Sequence, residues 1–294
     1  MKKFKGTGVA IVTPFKSDSS IDFAALGRVI DHCIKGGVNY IVALGTTGES
    51  VTLSKDEKKA IISYVVEAID CRIPLIVGIG GNNTQEVINS VRHSALTGVD
   101  GVLSVAPYYS KPTQRGIFQH FKSIANSSPL PIILYNVPGR TACNISADTC
   151  LELAHACDNI VATKEASGDI TQIMKIIKGK PENFNVISGD DMMTLPVIAA
   201  GGIGVISVLG NAFPAQTSEL VNHALKSNFK SAREMQFRML ELIELLFIEG
   251  NPAGVKAMLN IMNICSNNLR LPLVPVSRIV YSRIQKAVDE LIKS

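Results

Sequence analysis

Eight short runs rich in valine and isoleucine recur along this chain, each followed by a stretch of helical periodicity, and this alternation limits the possible folds most. The runs lie at 8–13, 40–44, 75–79, 102–106, 132–135, 160–163, 184–187 and 204–209. Their hydrophobicity is continuous and not alternating, which marks strands buried on both faces, as in a parallel sheet covered by helices. The intervening stretches open with capping residues. Ser54-Lys-Asp-Glu57 is a capping box leading into Ala60-Ile-Ile-Ser-Tyr-Val-Val, and Thr84 and Asp169 stand before similar segments. Eight strand-helix units over roughly 225 residues match a (β/α)8 TIM barrel, whose usual size is about 250 residues. The alternative is a doubly wound open sheet. It would advertise a glycine-rich phosphate turn after its first strand, where this chain has Thr13-Pro-Phe-Lys16. Beyond Lys226 the periodicity predicts helices at 232–249, 253–264 and, past Pro272 and Pro275, 277–293. We read 1–228 as a catalytic barrel and 229–294 as a C-terminal helical extension packed on it. Its Leu, Met and Ile stripes suit core or subunit contact.

Composition narrows the function. With 294 residues, 46% hydrophobic and 18% charged, the chain is long enough for one large core and too apolar for disorder. Its formal charge of +4 is spread thinly apart from Lys2, Lys3 and Lys5, with no basic stripe interleaved with aromatics, so nucleic acid is not the expected partner. A mildly basic balance suits small anionic substrates. Six cysteines include no C-x-x-C pair and no histidine cluster beside them, which argues against a metal and fits a reducing cytoplasm. The apolar run in the first fourteen residues is too short for a signal peptide. The uncharged stretch 192–218 is broken by Pro196, Gly201-Gly202, Gly204, Gly210, Asn211 and Pro214 into short elements, so no membrane span is expected there.

In a barrel, catalytic residues project from the C-terminal ends of the strands. The sixth run closes on Lys164. A lysine there is a nucleophile whose burial favours the neutral amine, or else a side chain that snorkels outward or pairs with Glu165. The second run ends in Gly45-Thr-Thr-Gly-Glu-Ser50, whose hydroxyls and N–H groups suit a carboxylate, although such clusters also make ordinary loops. The fourth ends in Pro107-Tyr-Tyr-Ser110, where the tyrosines serve packing equally well. The fifth ends in Tyr135-Asn-Val-Pro-Gly-Arg140, which brings a phenol for proton transfer and a guanidinium that forks onto carboxylates. Asp190-Asp191 after the seventh run reads as a helix cap more than as a magnesium site, since adjacent side chains point apart. Together, a lysine, a tyrosine, vicinal threonines and an arginine at one rim are the parts of an amine-catalysed aldol reaction on carboxylate substrates, with no metal or coenzyme.

Gly45-Thr-Thr-Gly-Glu-Ser50, Tyr135-Asn-Val-Pro138, Lys164-Glu-Ala166 and Ser188-Gly-Asp-Asp191 resemble the pyruvate-dependent class I aldolase superfamily, and most closely its dihydrodipicolinate synthase family. The resemblance covers essentially the whole chain. It implies a lyase condensing pyruvate with L-aspartate 4-semialdehyde to 4-hydroxy-tetrahydrodipicolinate, in the diaminopimelate route to lysine. By the same resemblance Lys164 is the Schiff-base lysine, Tyr135 the proton-carrying phenol, and Thr46 its link to Tyr109 of a neighbouring subunit. Thr47 holds the pyruvate carboxylate, Arg140 anchors the aldehyde substrate, and Gly189 and Ile206 give backbone contacts. A homotetramer built as a dimer of dimers is implied. Relatives such as N-acetylneuraminate lyase generally lack the arginine, and a catalytically dead binding relative would not keep the lysine, tyrosine and threonine together. Inhibited members bind L-lysine between subunits. Ser50, Asn82, Glu86 and Tyr108 match that pocket, whereas Lys55 and Lys58 stand where sensitive bacterial relatives tend to carry histidines, so insensitivity to L-lysine is expected.

Overall fold

The computed structural model describes residues 3–293. Of the basic N-terminal cluster, Lys2 therefore lies outside the described residues. Strands and helices alternate as β1 (Gly6–Ala10), α1 (Phe23–Lys35), β2 (Tyr40–Ala43), α2 (Lys55–Ile69), β3 (Leu75–Gly78), α3 (Thr84–His93), β4 (Gly101–Val105) and α4 (Gln114–Ala125). They continue as β5 (Ile132–Asn136), α5 (Pro138–Thr141), α6 (Ala147–Ala156), β6 (Ile160–Glu165), α7 (Ile170–Gly179), β7 (Asn185–Ser188), α8 (Thr194–Ala199), β8 (Gly204–Ser207) and α9 (Pro214–Leu225). After them come α10 (Phe229–Arg238), α11 (Leu240–Leu245), α12 (Ala253–Ile261) and α13 (Arg278–Lys293).

All eight strands are parallel and pair in sequence order, and β1 closes on β8 through Gly6↔Gly204 to Val9↔Ser207. This is the expected (β/α)8 barrel. Side chains that alternate inward fill its interior: Ala10, Tyr40, Val42, Ile76, Leu103, Ile133, Ile187 and Ile206 form one apolar cluster, into which Phe4 packs edge-on against Tyr40. The outward-facing residues join the helices in larger clusters. One of these runs from Val9 and Ile11 of the barrel through Leu242, Met258 and Val288 of the last helices, so extension and barrel share a core.

Local chemistry explains most boundaries. Ser54 and Glu57 form the reciprocal capping box of α2, and Asp169 caps α7 by accepting from the amides of Thr171 and Gln172. Several expectations need correction, beginning with β1, which runs Gly6–Ala10 and not 8–13, and β8, which ends at Ser207 and not at 209. The cap of α3 is Asn83, not Thr84, whose hydroxyl is engaged instead with His120 of α4. Strand β6 runs through Lys164 and Glu165, because backbone pairing with β5 and β7 continues regardless of side-chain polarity. The helix expected at 232–249 starts earlier, at Phe229, where Asn228 accepts from the Ser231 amide, and it is interrupted at Met239 before α11. Neither Asp190 nor Asp191 caps α8, which begins after Met193 without a side-chain cap.

Candidate active site

Register across three neighbouring strands builds the centre of the site. Tyr135 of β5 stands beside Lys164 of β6, which stands beside Ile187 of β7. Successive side chains on a strand point to opposite faces, so Lys164 enters the barrel and Glu165 faces the helices. Lys164 Nζ lies 4.3 Å from the centroid of the Tyr135 ring, and the residue is only 4% exposed. Among the described residues no carboxylate stands within ion-pair distance of it. Pairing with Glu165 is thereby excluded, as is snorkelling to the surface. Gly189, at the end of β7, makes room for the lysine stem: a Cβ there would lie 3.0 Å from both Cγ and Cε of Lys164 and 2.8 Å from Ala166 Cβ.

Behind the lysine, Glu165 is buried and accepts hydrogen bonds from Asn136 Nδ2 at 2.8 Å, Gln172 Nε2 at 2.9 Å and the Ser167 amide at 3.2 Å. Burial raises its pKa, and these donors oppose the rise. Asn136 also donates to Asn144 Oδ1 at 2.7 Å and accepts from the Ile145 amide at 2.9 Å. The network fastens the returning end of the segment that carries Arg140. Arg140 itself is exposed, on the one-turn helix α5 at the barrel mouth.

Thr46 and Thr47 lie on a 3-10 turn, Thr46–Gly48, at the end of β2. It is flanked by Leu44 and Glu49, both in the left-handed region at φ 57° and 51°, a conformation that persists in non-glycine residues only where the surroundings enforce it. The enforcement is visible. Thr13 Oγ1 donates to Gly48 O at 2.7 Å, and Glu49 is buried in an ion pair with Lys256 of α12 at 2.5 Å. The Arg270 amide donates to the other Glu49 oxygen at 3.1 Å, and Lys256 and Arg270 both lie over the Phe15 ring. Burial pulls the Lys256 pKa down while Glu49 opposes it. Thr47 Oγ1 accepts from Asn251 Nδ2 at 3.1 Å.

Asp191 is buried and accepts from the Ser207 hydroxyl and from the Val208 and Leu209 amides, which fixes the turn after β8 beside Ile206. Burial raises its pKa against these donors. Among the described residues no group of three or more His, Cys, Asp or Glu has a metal-binding arrangement. Tyr109 does not join the site within one chain: it is 89% exposed in the loop after β4, at φ 72°. Asn82 Nδ2 donates to Tyr108 O at 3.2 Å, so two of the residues matched to the L-lysine pocket meet at the adjacent rim.

A sequence model described as the Dihydrodipicolinate synthetase family matches residues 3–291. The chain belongs to this family. The 4-hydroxy-tetrahydrodipicolinate synthase of Parabacteroides distasonis is 52% identical over 287 residues, covering 98% of this chain and 97% of that one. The crystal structure of dihydrodipicolinate synthase from Aquifex aeolicus superposes with a TM-score of 0.95 at 42% identity, covering 98% of both chains. That of Cyanidioschyzon merolae with lysine bound gives a TM-score of 0.94 at 37% identity, again covering 98% of both. The resemblance drawn from the four motifs is thus borne out over the whole chain.

Within this family member, the sequence motifs contained Asn136, Glu165 and Asp191 without disclosing what they do. Asn144 and Gln172, which bond to Asn136 and Glu165, and Asn251 and Lys256, which bond to Thr47 and Glu49, lie outside every motif. A buried carboxylate in a strand, at Glu165, was the available signal. Asn251 and Lys256 stand some two hundred residues from the groups they bond to and meet them only through folding.

Proposed function

We propose that this chain condenses pyruvate with L-aspartate 4-semialdehyde through a Schiff base on Lys164, as a 4-hydroxy-tetrahydrodipicolinate synthase in the diaminopimelate route to lysine. The observation that carries the reading is Lys164 itself, buried at the barrel mouth over Tyr135 without a carboxylate partner. Its amine attacks the pyruvate ketone, and loss of water gives the imine. The imine withdraws electrons from the neighbouring methyl, which loses a proton to become an enamine. The enamine carbon then bonds to the aldehyde carbon of the second substrate, whose oxygen takes up a proton. Finally the substrate amine attacks the imine carbon, Lys164 leaves as the free amine, and the ring is released. We assign the proton transfers to Tyr135, whose ring centroid lies 4.3 Å from Lys164 Nζ, a role that contributes roughly 10²–10⁴-fold in rate.

In this reading Thr47 and the Gly189 and Ile206 backbones surround pyruvate, Arg140 receives the carboxylate of the semialdehyde, and Thr46 links Tyr135 to Tyr109 of a second subunit. Tyr109, far out in solvent in the single chain, supports an obligate dimer, doubled to a tetramer. Residues 1–228 form the catalytic barrel and 229–294 the extension that braces it. No described helix is long and apolar enough to cross a membrane. A cytoplasmic location belongs to this reading, in keeping with six cysteines that form no C-x-x-C pair. Borohydride reduction in the presence of pyruvate tests the assignment. The wild-type chain gains one reduced pyruvate by mass, and Lys164→Ala gains none. Full labelling of the variant would overturn it.

A further inference from the structure

Through the loop after α11 and the first turn of α12, the extension returns to the mouth of the barrel and sets two residues against the turn that holds Thr46 and Thr47 and against Glu49 beside it. Asn251 meets Thr47, and Lys256 meets Glu49. The second tether is an anchor. Lys256 and Glu49 are fully buried in their side chains, and Lys256 also donates to Asn268 O at 2.8 Å, so this part of the extension and the turn move as one body. The first tether is directional. An amide N–H only donates, so Thr47 Oγ1 is its acceptor and the hydroxyl proton is left for another partner. Asn251 is buried and its Oδ1 has no hydrogen-bond partner, so the amide is held by its donor side alone. A carboxylate is a group that only accepts, and a hydroxyl already accepting one bond donates the next more strongly.

We propose that Asn251 is a positioning residue for the keto-acid substrate: it turns the Thr47 hydroxyl so that its proton points at the substrate carboxylate. The proposal rests on the reading of Thr47 as the pyruvate-carboxylate contact. It gives the C-terminal extension a part in the chemistry of the barrel mouth, through a residue outside every sequence motif. The geometry also explains why the turn is anchored twice. A hydroxyl has one proton and rotates freely unless a fixed donor occupies its lone pair, and Asn251 is fixed only as firmly as the segment that carries it.

The test uses the full chain with Asn251→Asp, Asn251→Ala and, as a control, Thr47→Val, measuring KM for each substrate, kcat and the thermal midpoint. Asp has the shape of Asn but offers only acceptors, so Thr47 turns its proton inward and the new charge faces the substrate carboxylate. Pyruvate KM then rises roughly tenfold or more, as for the loss of a hydrogen bond to a charged group. Asn251→Ala leaves the hydroxyl free to rotate, and pyruvate KM rises about threefold, the scale of a neutral hydrogen bond. In both variants kcat and the semialdehyde KM stay near wild type. A wild-type pyruvate KM in Asn251→Asp, a rise shared equally by both substrates, or an alanine variant as impaired as the aspartate one overturns the proposal. If Thr47→Val itself leaves pyruvate KM unchanged, the assignment of Thr47 has failed, and the role of Asn251 falls with it. Should the aspartate variant not fold, the alanine variant decides: a selective rise in pyruvate KM supports the proposal, and a lowered midpoint alone refutes it.

Discussion

Arg140 is exposed, unlike buried Lys164, Tyr135 and Thr47, while the segment that follows it is bound to buried Asn136, which in turn donates to Glu165. A guanidinium on a fixed mount and free at its tip suits the second substrate, which arrives after pyruvate is already attached. Arg140→Ala should therefore raise the semialdehyde KM by the loss of a charged hydrogen bond, about 1.5–3 kcal/mol. Pyruvate trapping should survive, and a variant equally defective in forming the imine would place the arginine elsewhere. At the other rim, the fate of L-lysine turns on Lys55 and Lys58 in the first turns of α2. Lys58 is half-buried, and its pKa is lowered first by burial and then by the charge of Lys55. A third cation brought to about 4 Å is repelled by about 1 kcal/mol in water and about 4 kcal/mol at an effective dielectric near 20. Glu86, in the first turn of α3, attracts the ligand amine but does not remove that repulsion. Initial rates at saturating pyruvate should stay flat as L-lysine reaches the millimolar range, and Lys58→His should restore inhibition. Clear partial inhibition of the wild-type enzyme at low L-lysine would sink this expectation.

At the scale of elements, α2 shows how one residue serves two levels of structure. Glu57 completes the capping box with Ser54, and it also takes a bidentate pair from Arg270 of the extension, at 2.5 and 2.9 Å. The Arg270 guanidinium is the chief reason its pKa falls from 4.5 to about 2. A depressed folded-state pKa means that the unfolded chain binds the proton more readily. The contribution to stability is thus complete above about 4.5 and is lost as pH falls towards about 2. Thermal midpoints measured across that window should fall less steeply in Glu57→Gln than in the wild type, whereas parallel curves would show that Glu57 carries none of the acid sensitivity. The same pairing shows why α2, whose cap was readable in the sequence, holds its place against the extension through a residue more than two hundred positions away.

For the whole molecule, the exposed apolar residues point to a missing neighbour. Val51 and Leu271 are about four-fifths exposed and adjoin Thr52 and Arg270, which are themselves joined by a hydrogen bond of 2.9 Å from the Arg270 guanidinium to Thr52 O, and Tyr109 is more exposed still. In the dimer proposed above, a second copy covers this surface and lends Tyr109 to the site, so activity is expected to depend on association. Sedimentation and specific activity should fall together on dilution or in an interface variant, and fully active monomers would refute the dimer. The sequence alone determined the architecture, because eight doubly buried strands with capped helices between them leave few ways to bury every strand face. It also determined the family, and it singled out Lys164, Tyr135, Thr46, Thr47 and Arg140 as the proposed site residues, because they sit in short local motifs at strand ends. Tertiary structure decided the rest. That Lys164 faces the interior and Glu165 the helices follows from pleat and register, which a one-residue slip would reverse. The bracing of the carboxylate turn by Asn251, Lys256 and Arg270 arises from contacts about two hundred residues apart, between side chains whose spacing carries no local signal. The break at Met239 and the cap at Asn83 likewise depended on which neighbour each helix end met after packing.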